Sequence, residues 1–251
     1  MELNLSGKKV LVTGASRGIG LAIVKAFVSE GATVVGNARG EVGLRDAISS
    51  LENCIGVVGD VTDPARARLV VNEAVEKMGG IDIVVCNVGS GSSVPPGEEN
   101  YEEWQRMFAL NFFSTTNVVE AAKSALGESQ GVVICVSSIC GCEIVPGAPV
   151  TYTTAKTALN AYIKGVSRPL GKESIRILGV APGNVMFEGS GWEHRLNADP
   201  VATQEMLERD VSLAKFGTAD EVGSMVVWCA SDRCAFATGS IWVLDGGQVR
   251  S

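Results

Sequence analysis

Tyr152 and Lys156 stand four residues apart in "YTTAK". At that spacing two side chains share one face of a helix. A phenol ordinarily loses its proton near pH ~10, and an ammonium group beside it favours the phenolate. At about 4 Å and an effective dielectric of about 20 the attraction reaches roughly 4 kcal/mol as an upper figure. Such a pair can exchange a proton with a bound oxygen close to neutrality; it is equally an ordinary helix-surface pair. A second stretch, "VTGASRGIG" (12–20), spaces its glycines Gly14-x-x-x-Gly18-x-Gly20. Glycines let the backbone turn tightly and approach a ligand. A helix that begins there offers free N–H groups and a partial positive charge to a phosphate. The same trio also suits a tight turn that binds nothing.

These residues need elements to hold them. Seven short runs rich in Val and Ile occupy 8–13, 32–38, 54–59, 81–87, 131–137, 174–180 and 239–245. Apolar runs of this length without alternation read as parallel strands buried on both faces. Amphipathic stretches separate them at 18–31, 63–79, 101–127, 152–171 and 219–232, the second with an Asp63-Pro64 start signal. The stretch 101–127 is apolar on more than one face. The alternation predicts an α/β fold: one Rossmann-like doubly wound parallel sheet of seven strands with helices on both faces. No linker or repeat divides the chain, so 1–251 reads as one domain. The segment at about 182–218 reads as irregular, placed where a substrate lid would lie.

Composition narrows the function. A net charge of −7 with no basic run argues against nucleic acid or an anionic membrane as partner. The first residues lack the charged and apolar regions of a signal peptide, and no apolar run is long enough to span a bilayer. Seven cysteines, an odd number irregularly spaced, favour free thiols in a reducing compartment, hence a cytoplasmic location.

The remaining motifs fall in order on these elements: Asn87-Val88-Gly89 after the fourth strand, Asn111 inside the long helix, Ser137-Ser138 after the fifth strand, then Tyr152 and Lys156, Pro182-Gly183, and "LDGG" at 244–247. Together with Thr13–Gly20 they resemble the short-chain dehydrogenase/reductase family over residues 7 to 247. Valine replaces the alanine usual in its N-x-A-G motif. The resemblance implies hydride transfer between a nicotinamide and a ketone or secondary alcohol, with a homodimer or homotetramer built partly on 101–127 and 152–171. It implies Tyr152 as acid/base, Lys156 as its electrostatic partner and ribose contact, Ser138 as the substrate-oxygen donor and Asn111 in a water relay. Ser138 to Tyr152 is one residue longer than is usual in the family, an insertion the turn-rich 140–151 can absorb. Alternation points Ser137 and Ser138 to opposite faces, so only one can serve; Ser138 is the choice. A 3-oxoacyl-thioester reductase shares this pattern, and non-redox lyases, dehalogenases and cofactor-binding regulators occur on the same scaffold.

For the cofactor, Gly14, Ser16, Arg17, Gly18, Ile19 and Gly20 form the implied phosphate turn. Asn87, Gly89, Pro182, Gly183 and Val185 line the implied nicotinamide end, and Asp60 and Val61 the adenine. Dinucleotide folds selective for NAD place an acidic residue at the end of the second strand. Here that place reads Ala38-Arg39, and Arg17 reaches the same region, so the expected cofactor is NADP. Met186, Phe187, Trp192, Met206 and Leu207 in the lid suit an apolar or alicyclic substrate, or else pack the lid itself. Two motifs are decoys. "GESQG" (127–131) resembles a nucleophile elbow, but a helix precedes Ser129 and a strand follows, the reverse of what that motif needs, and His194 is the only histidine. Cys140 and Cys142 are too few, and too close together, to build a metal site; none is expected.

Overall fold

The computed structural model describes residues 2–250. Its main sheet has seven strands in the order β3-β2-β1-β4-β5-β6-β9: β1 Lys9–Thr13, β2 Thr33–Ala38, β3 Cys54–Val58, β4 Ile83–Cys86, β5 Val132–Val136, β6 Arg176–Pro182 and β9 Ile241–Leu244. Every pairing is parallel. Successive residues alternate between two cores. Val10, Val12, Val34 and Ile134 meet Ile23 and Phe27 of α1 (Gly18–Ser29) and Val222 and Val226 of α9 (Ala219–Ala230). Leu11, Val35, Val84 and Val133 meet Val70 of α3 (Pro64–Met78), Val118 of α5 (Ser114–Ser129) and Leu159 of α6 (Val150–Lys172). Both faces are therefore covered, which is why the strands carry no polar alternation. The chain runs outward from β1 to β3, then returns to β4 on β1's other side. The crevice at the carboxyl ends of β1 and β4 is the switch point where such folds bind ligands.

Three local readings are corrected. The stretch 101–127 is not one α-helix: α4 (Tyr101–Phe108) and α5 are joined by a turn of π-helix, Ala109–Phe113. The segment 182–218 is not irregular. It holds α7 (Gly191–Ala198) and α8 (Pro200–Asp210), and its ends pair as a two-residue ladder of β7 (Val185–Met186) with β8 (Gly217–Thr218). A helix not read from the sequence, α2 (Glu41–Ile48), buries Leu44 and Ile48 under the outer strands. The Asp63-Pro64 signal does start α3: the Asp63 carboxylate accepts from the Arg66 N–H, and Gly79 ends the helix at φ 69°. No helix among the described residues is long and apolar enough to cross a membrane.

Candidate active site

At the switch point, Thr13 and Asn87 tie β1 to β4. The Thr13 hydroxyl donates to Val85 O at 3.2 Å and accepts from Asn87 N at 3.0 Å, and Asn87 Nδ2 donates to Thr13 O at 3.1 Å. The glycine turn wraps this joint. Gly14 (φ 68°) and Gly18 (φ 54°) are left-handed. A Cβ on Gly20 would lie 2.0 Å from Gly14 O and 2.6 Å from Asn87 Nδ2, so no larger residue fits. No side chain caps the N-terminus of α1. Its free N–H groups, the half-buried Ser16 and Ile19 and the exposed Arg17 together make a surface suited to phosphate. Over it crosses a strap from the lid: the Phe187 ring lies against Gly18, and Gly189 lies beside the Arg17 guanidinium.

Next to the turn, Arg39 is exposed and its Nη1 sits 3.8 Å from Asp60 Oδ2. Burial pushes the Asp60 carboxyl up, but hydrogen bonds from Thr62 and the charge of Arg39 outweigh it, leaving the carboxyl below its ordinary value. Val61 is buried, with its carbonyl accepting from Asn117 Nδ2 at 3.1 Å. On the far side of the crevice Pro182 ends β6. Gly183 N donates to Leu244 O at 3.0 Å, and Val185 opens β7.

Four polar side chains converge between these walls. Asn111, at the centre of the π-turn, is fully buried; its Oδ1 accepts from Ser90 N at 3.0 Å and its Nδ2 donates to Ser90 O and Met107 O, each at 3.1 Å. Lys156 is buried and Nζ donates to Val136 O at 2.9 Å. A Cβ on Gly89 would come within 2.8 Å of Asn111 Oδ1 and 3.2 Å of Lys156 Nζ, so glycine there lets the loop pass between them. Tyr152 is half-buried, with Lys156 Nζ 5.9 Å from its ring centroid. The Ser138 hydroxyl faces the Tyr152 phenol and also accepts from Cys140 N at 3.2 Å. Ser137 points the other way, donating to Asn160 Oδ1 at 2.6 Å.

Burial dominates the electrostatics of the pair. Burial pushes the Tyr152 phenol up to about 12, with the Ser138 hydrogen bond opposing it. Burial also brings Lys156 down to about 8. Spacing puts the two groups on one helical face, but Lys156 turns its ammonium onto a carbonyl. Burial is the largest cause for both groups. The phenol is thus protonated throughout the neutral range, the state of an acid ready to donate.

Ser129 ends α5 at the amino edge of the sheet and donates to Ile81 O at 2.7 Å, far from His194 on α7. Among the described residues no three acidic, histidine or cysteine side chains are grouped to hold a metal. Burial raises the Cys140 thiol, which lies against Ser138. Within the lid the Trp192 ring meets Phe216 at 5.4 Å and carries Arg195 at 4.9 Å, and Leu207 is buried, while Phe187 packs outward on the glycine turn at Gly18. A chain of hydroxyls beside Tyr152 has no counterpart in the sequence reading. Ser93 joins Glu103 of α4 to Thr151 of α6, residue types too common to stand out.

A family model described as enoyl-(acyl carrier protein) reductase matches residues 14–248. An oxidoreductase of Methylorubrum extorquens is 33% identical over 251 residues, covering 97% of this chain and 98% of that protein. L-fucose dehydrogenase of Mus musculus is 33% identical over 247 residues, covering 96% of this chain and 88% of that one. The crystal structure of L-sorbose reductase from Gluconobacter frateurii, complexed with NADPH and L-sorbose, superposes at a TM-score of 0.93 with 28% identity over the whole of both chains.

Proposed function

The chain belongs to the short-chain dehydrogenase/reductase family, and from that premise we propose that it is an NADP(H)-dependent oxidoreductase acting on a ketone or its secondary alcohol. The observation that carries the reading is the convergence of Asn111, Ser138, Tyr152 and Lys156 beside an uncapped glycine turn. The dinucleotide, when bound, supplies or accepts the hydride. Ser138 donates a hydrogen bond to the carbonyl oxygen and holds it against the phenol. Tyr152 gives its proton to that oxygen as negative charge develops on it. Lys156 holds the ribose and supplies positive charge beside the phenolate left behind. Asn111 fixes the Ser90 backbone and supports a water path that returns the proton to Tyr152. Gly14 to Gly20, Asn87, Gly89, Pro182, Gly183 and Val185 form the dinucleotide's walls. Trp192 packs on Phe216 inside the lid, so an apolar or alicyclic preference rests on Phe187, whose ring lies over the glycine turn. The test is NADPH consumption with cyclohexanone, acetophenone, ethyl acetoacetate and L-sorbose; turnover of none of them, and of none of the matching alcohols with NADP, overturns the reading.

NADP preference is supported by Arg39 and Arg17 and by the absence of an acid at Ala38. The Arg39–Asp60 contact is exposed and long, so it holds Arg39 weakly. An arginine–phosphate contact contributes about 1.5–3 kcal/mol, or roughly one to two decades of affinity. NADPH is therefore expected to bind at least about ten-fold tighter than NADH. Arg39→Ala is expected to weaken NADPH alone, by about the same factor. Equal affinities in the wild type, by fluorescence titration, rule out this preference.

Self-association is proposed on the exposed aromatics of the α4–α5 region. Tyr101 is 69% and Phe113 47% exposed, beside a run of ring contacts from Trp104 to Tyr162. Apolar area of that kind at the end of a packed cluster suits a symmetric interface. Sedimentation at micromolar protein is expected to give a dimer or tetramer; a single 26.2 kDa species contradicts it.

A further inference from the structure

We propose that Thr151, Ser93 and Glu103 form a hydrogen-bonded chain that positions the Tyr152 phenol, with Arg106 as its anchor. The inference rests on Tyr152 being the proton donor. Arg106 grips Glu103 with two bonds, Nε to Oε2 at 2.7 Å and Nη2 to Oε1 at 2.6 Å, and its Nη2 also reaches Ser92 O at 2.9 Å. Ser93 Oγ lies 2.6 Å from Glu103 Oε1 and 2.6 Å from Thr151 Oγ1. Hydrogen bonds from Arg106 and Ser93 hold the Glu103 carboxyl down at about 2, so it is a carboxylate throughout the working range. A carboxylate only accepts. The Ser93 proton is therefore committed to Glu103, and the Thr151 hydroxyl must donate to Ser93. The chain has one polarity and is charge-assisted at its end, which makes it short and directional.

Its placement gives it a task. Thr151 is fully buried and adjoins Tyr152 in the first turn of α6, which no side chain caps. An uncapped first turn is the least constrained part of a helix, and the acid stands in it. The other end of the chain fixes the loop against which the ring lies: a Cβ on Gly91 would have three Tyr152 ring atoms as its nearest neighbours, at 3.8–3.9 Å. Asn111 clamps that loop at Ser90, and Glu103 and Arg106 clamp it at Ser92 and Ser93. The chain thus ties both the helical turn that carries the phenol and the loop beside it to one carboxylate. It touches neither Lys156 nor the glycine turn, so breaking it acts on the chemical step and spares dinucleotide binding.

The test compares wild type, Ser93→Ala, Thr151→Val, the double variant, Thr151→Ser and Tyr152→Phe, using NADPH and the fastest ketone of the panel above. Misplacement of a reacting group by a fraction of an ångström is expected to cost about ten-fold in kcat for Ser93→Ala and for Thr151→Val. NADPH affinity is expected to stay within about two-fold, because the phosphate turn keeps its contacts. The double variant should fall no further than its singles, since both remove one link, and Thr151→Ser should restore turnover. Wild-type kcat in the single variants, losses that multiply, weakened NADPH binding in step with kcat, or a Thr151→Ser as impaired as Thr151→Val each overturns the chain. An inactive Tyr152→Phe beside a fully active Thr151→Val refutes the chain alone. A Tyr152→Phe that keeps its turnover refutes the assignment of the acid itself, and the chain with it.

Discussion

Tyr152→Phe is expected to bind NADPH as the wild type does and to lose about 10²–10⁴-fold in kcat, the range for removal of a general acid, with lost positioning adding to it. The alternatives within reach are poor. Ser138 is an aliphatic alcohol, a much weaker acid than a phenol, and its oxygen already accepts from Cys140 N. The Cys140 thiol is pushed above its ordinary value by burial. Neither can replace a phenol held protonated and aimed at the crevice. Ser138→Ala is expected to fall too, by less, because it orients the substrate without supplying the proton. Ser137→Ala should keep turnover, since its hydroxyl serves Asn160 on the other side of the strand. Single-turnover kinetics with pre-bound NADPH checks the first result. A Tyr152→Phe protein within a few-fold of wild type removes this residue from the reaction.

Lys156→Met is expected to lose activity and gain stability. In the fold the ammonium drops from its ordinary 10.5 to about 8 because it is buried. A group that binds its proton less tightly folded than unfolded destabilises the fold while it is charged. The penalty is complete below about pH 8, shrinks as pH rises, and is gone above 10.5. At neutral pH it amounts to about 3 kcal/mol. The variant should therefore unfold at higher denaturant than the wild type near pH 7, and the gap should close as the pH climbs. The comparison is made below the range where Tyr152 titrates, because that phenol, raised in the fold, loses stability above its ordinary value. Equal or lower stability of the variant at pH 7, or a gap independent of pH, contradicts a buried strained charge. NADPH binding should weaken in the same protein, because the ribose contact proposed for Lys156 is removed with the ammonium.

The strands were legible because they follow from burial, and the order of the site motifs was legible from its likeness to the short-chain dehydrogenase/reductase pattern. A parallel strand covered on two faces must be apolar throughout, and Val10 to Val12 or Val132 to Val136 can be little else. The opposed directions of Ser137 and Ser138 follow from strand alternation alone. The lid was not legible for the converse reason. α7 buries no residue and α8 only Thr203 and Leu207, so neither shows an apolar period. α8 nevertheless opens with Asp199-Pro200, the same signal that marked α3 at Asp63-Pro64, and the Asp199 carboxylate accepts from Ala202 N. The upward shift of Tyr152 could not be read from spacing, which fixes a helical face but not how much water a charge has lost. The Ser93–Thr151 contact joins residues 58 positions apart through two ordinary hydroxyls, and nothing local marks either.

The π-turn at Ala109–Phe113 has a geometric consequence for any wheel drawn through this part of the chain. An α-helix advances about 100° per residue. A turn closed by bonds one residue longer than α holds a supernumerary residue. The angular origin of α4 is therefore displaced from that of α5 by roughly one such step. Projected on a single wheel, the apolar residues of 101–127 smear around the circumference. Projected on two, the α5 set of Thr115, Val118, Val119, Ala122 and Leu126 collapses to one stripe. Part of the apparent breadth of that helix is thus a phase slip. Asn111 lies within that turn, four residues from Met107 and four from Thr115, and its amide is bonded to Met107 O and to the Ser90 backbone.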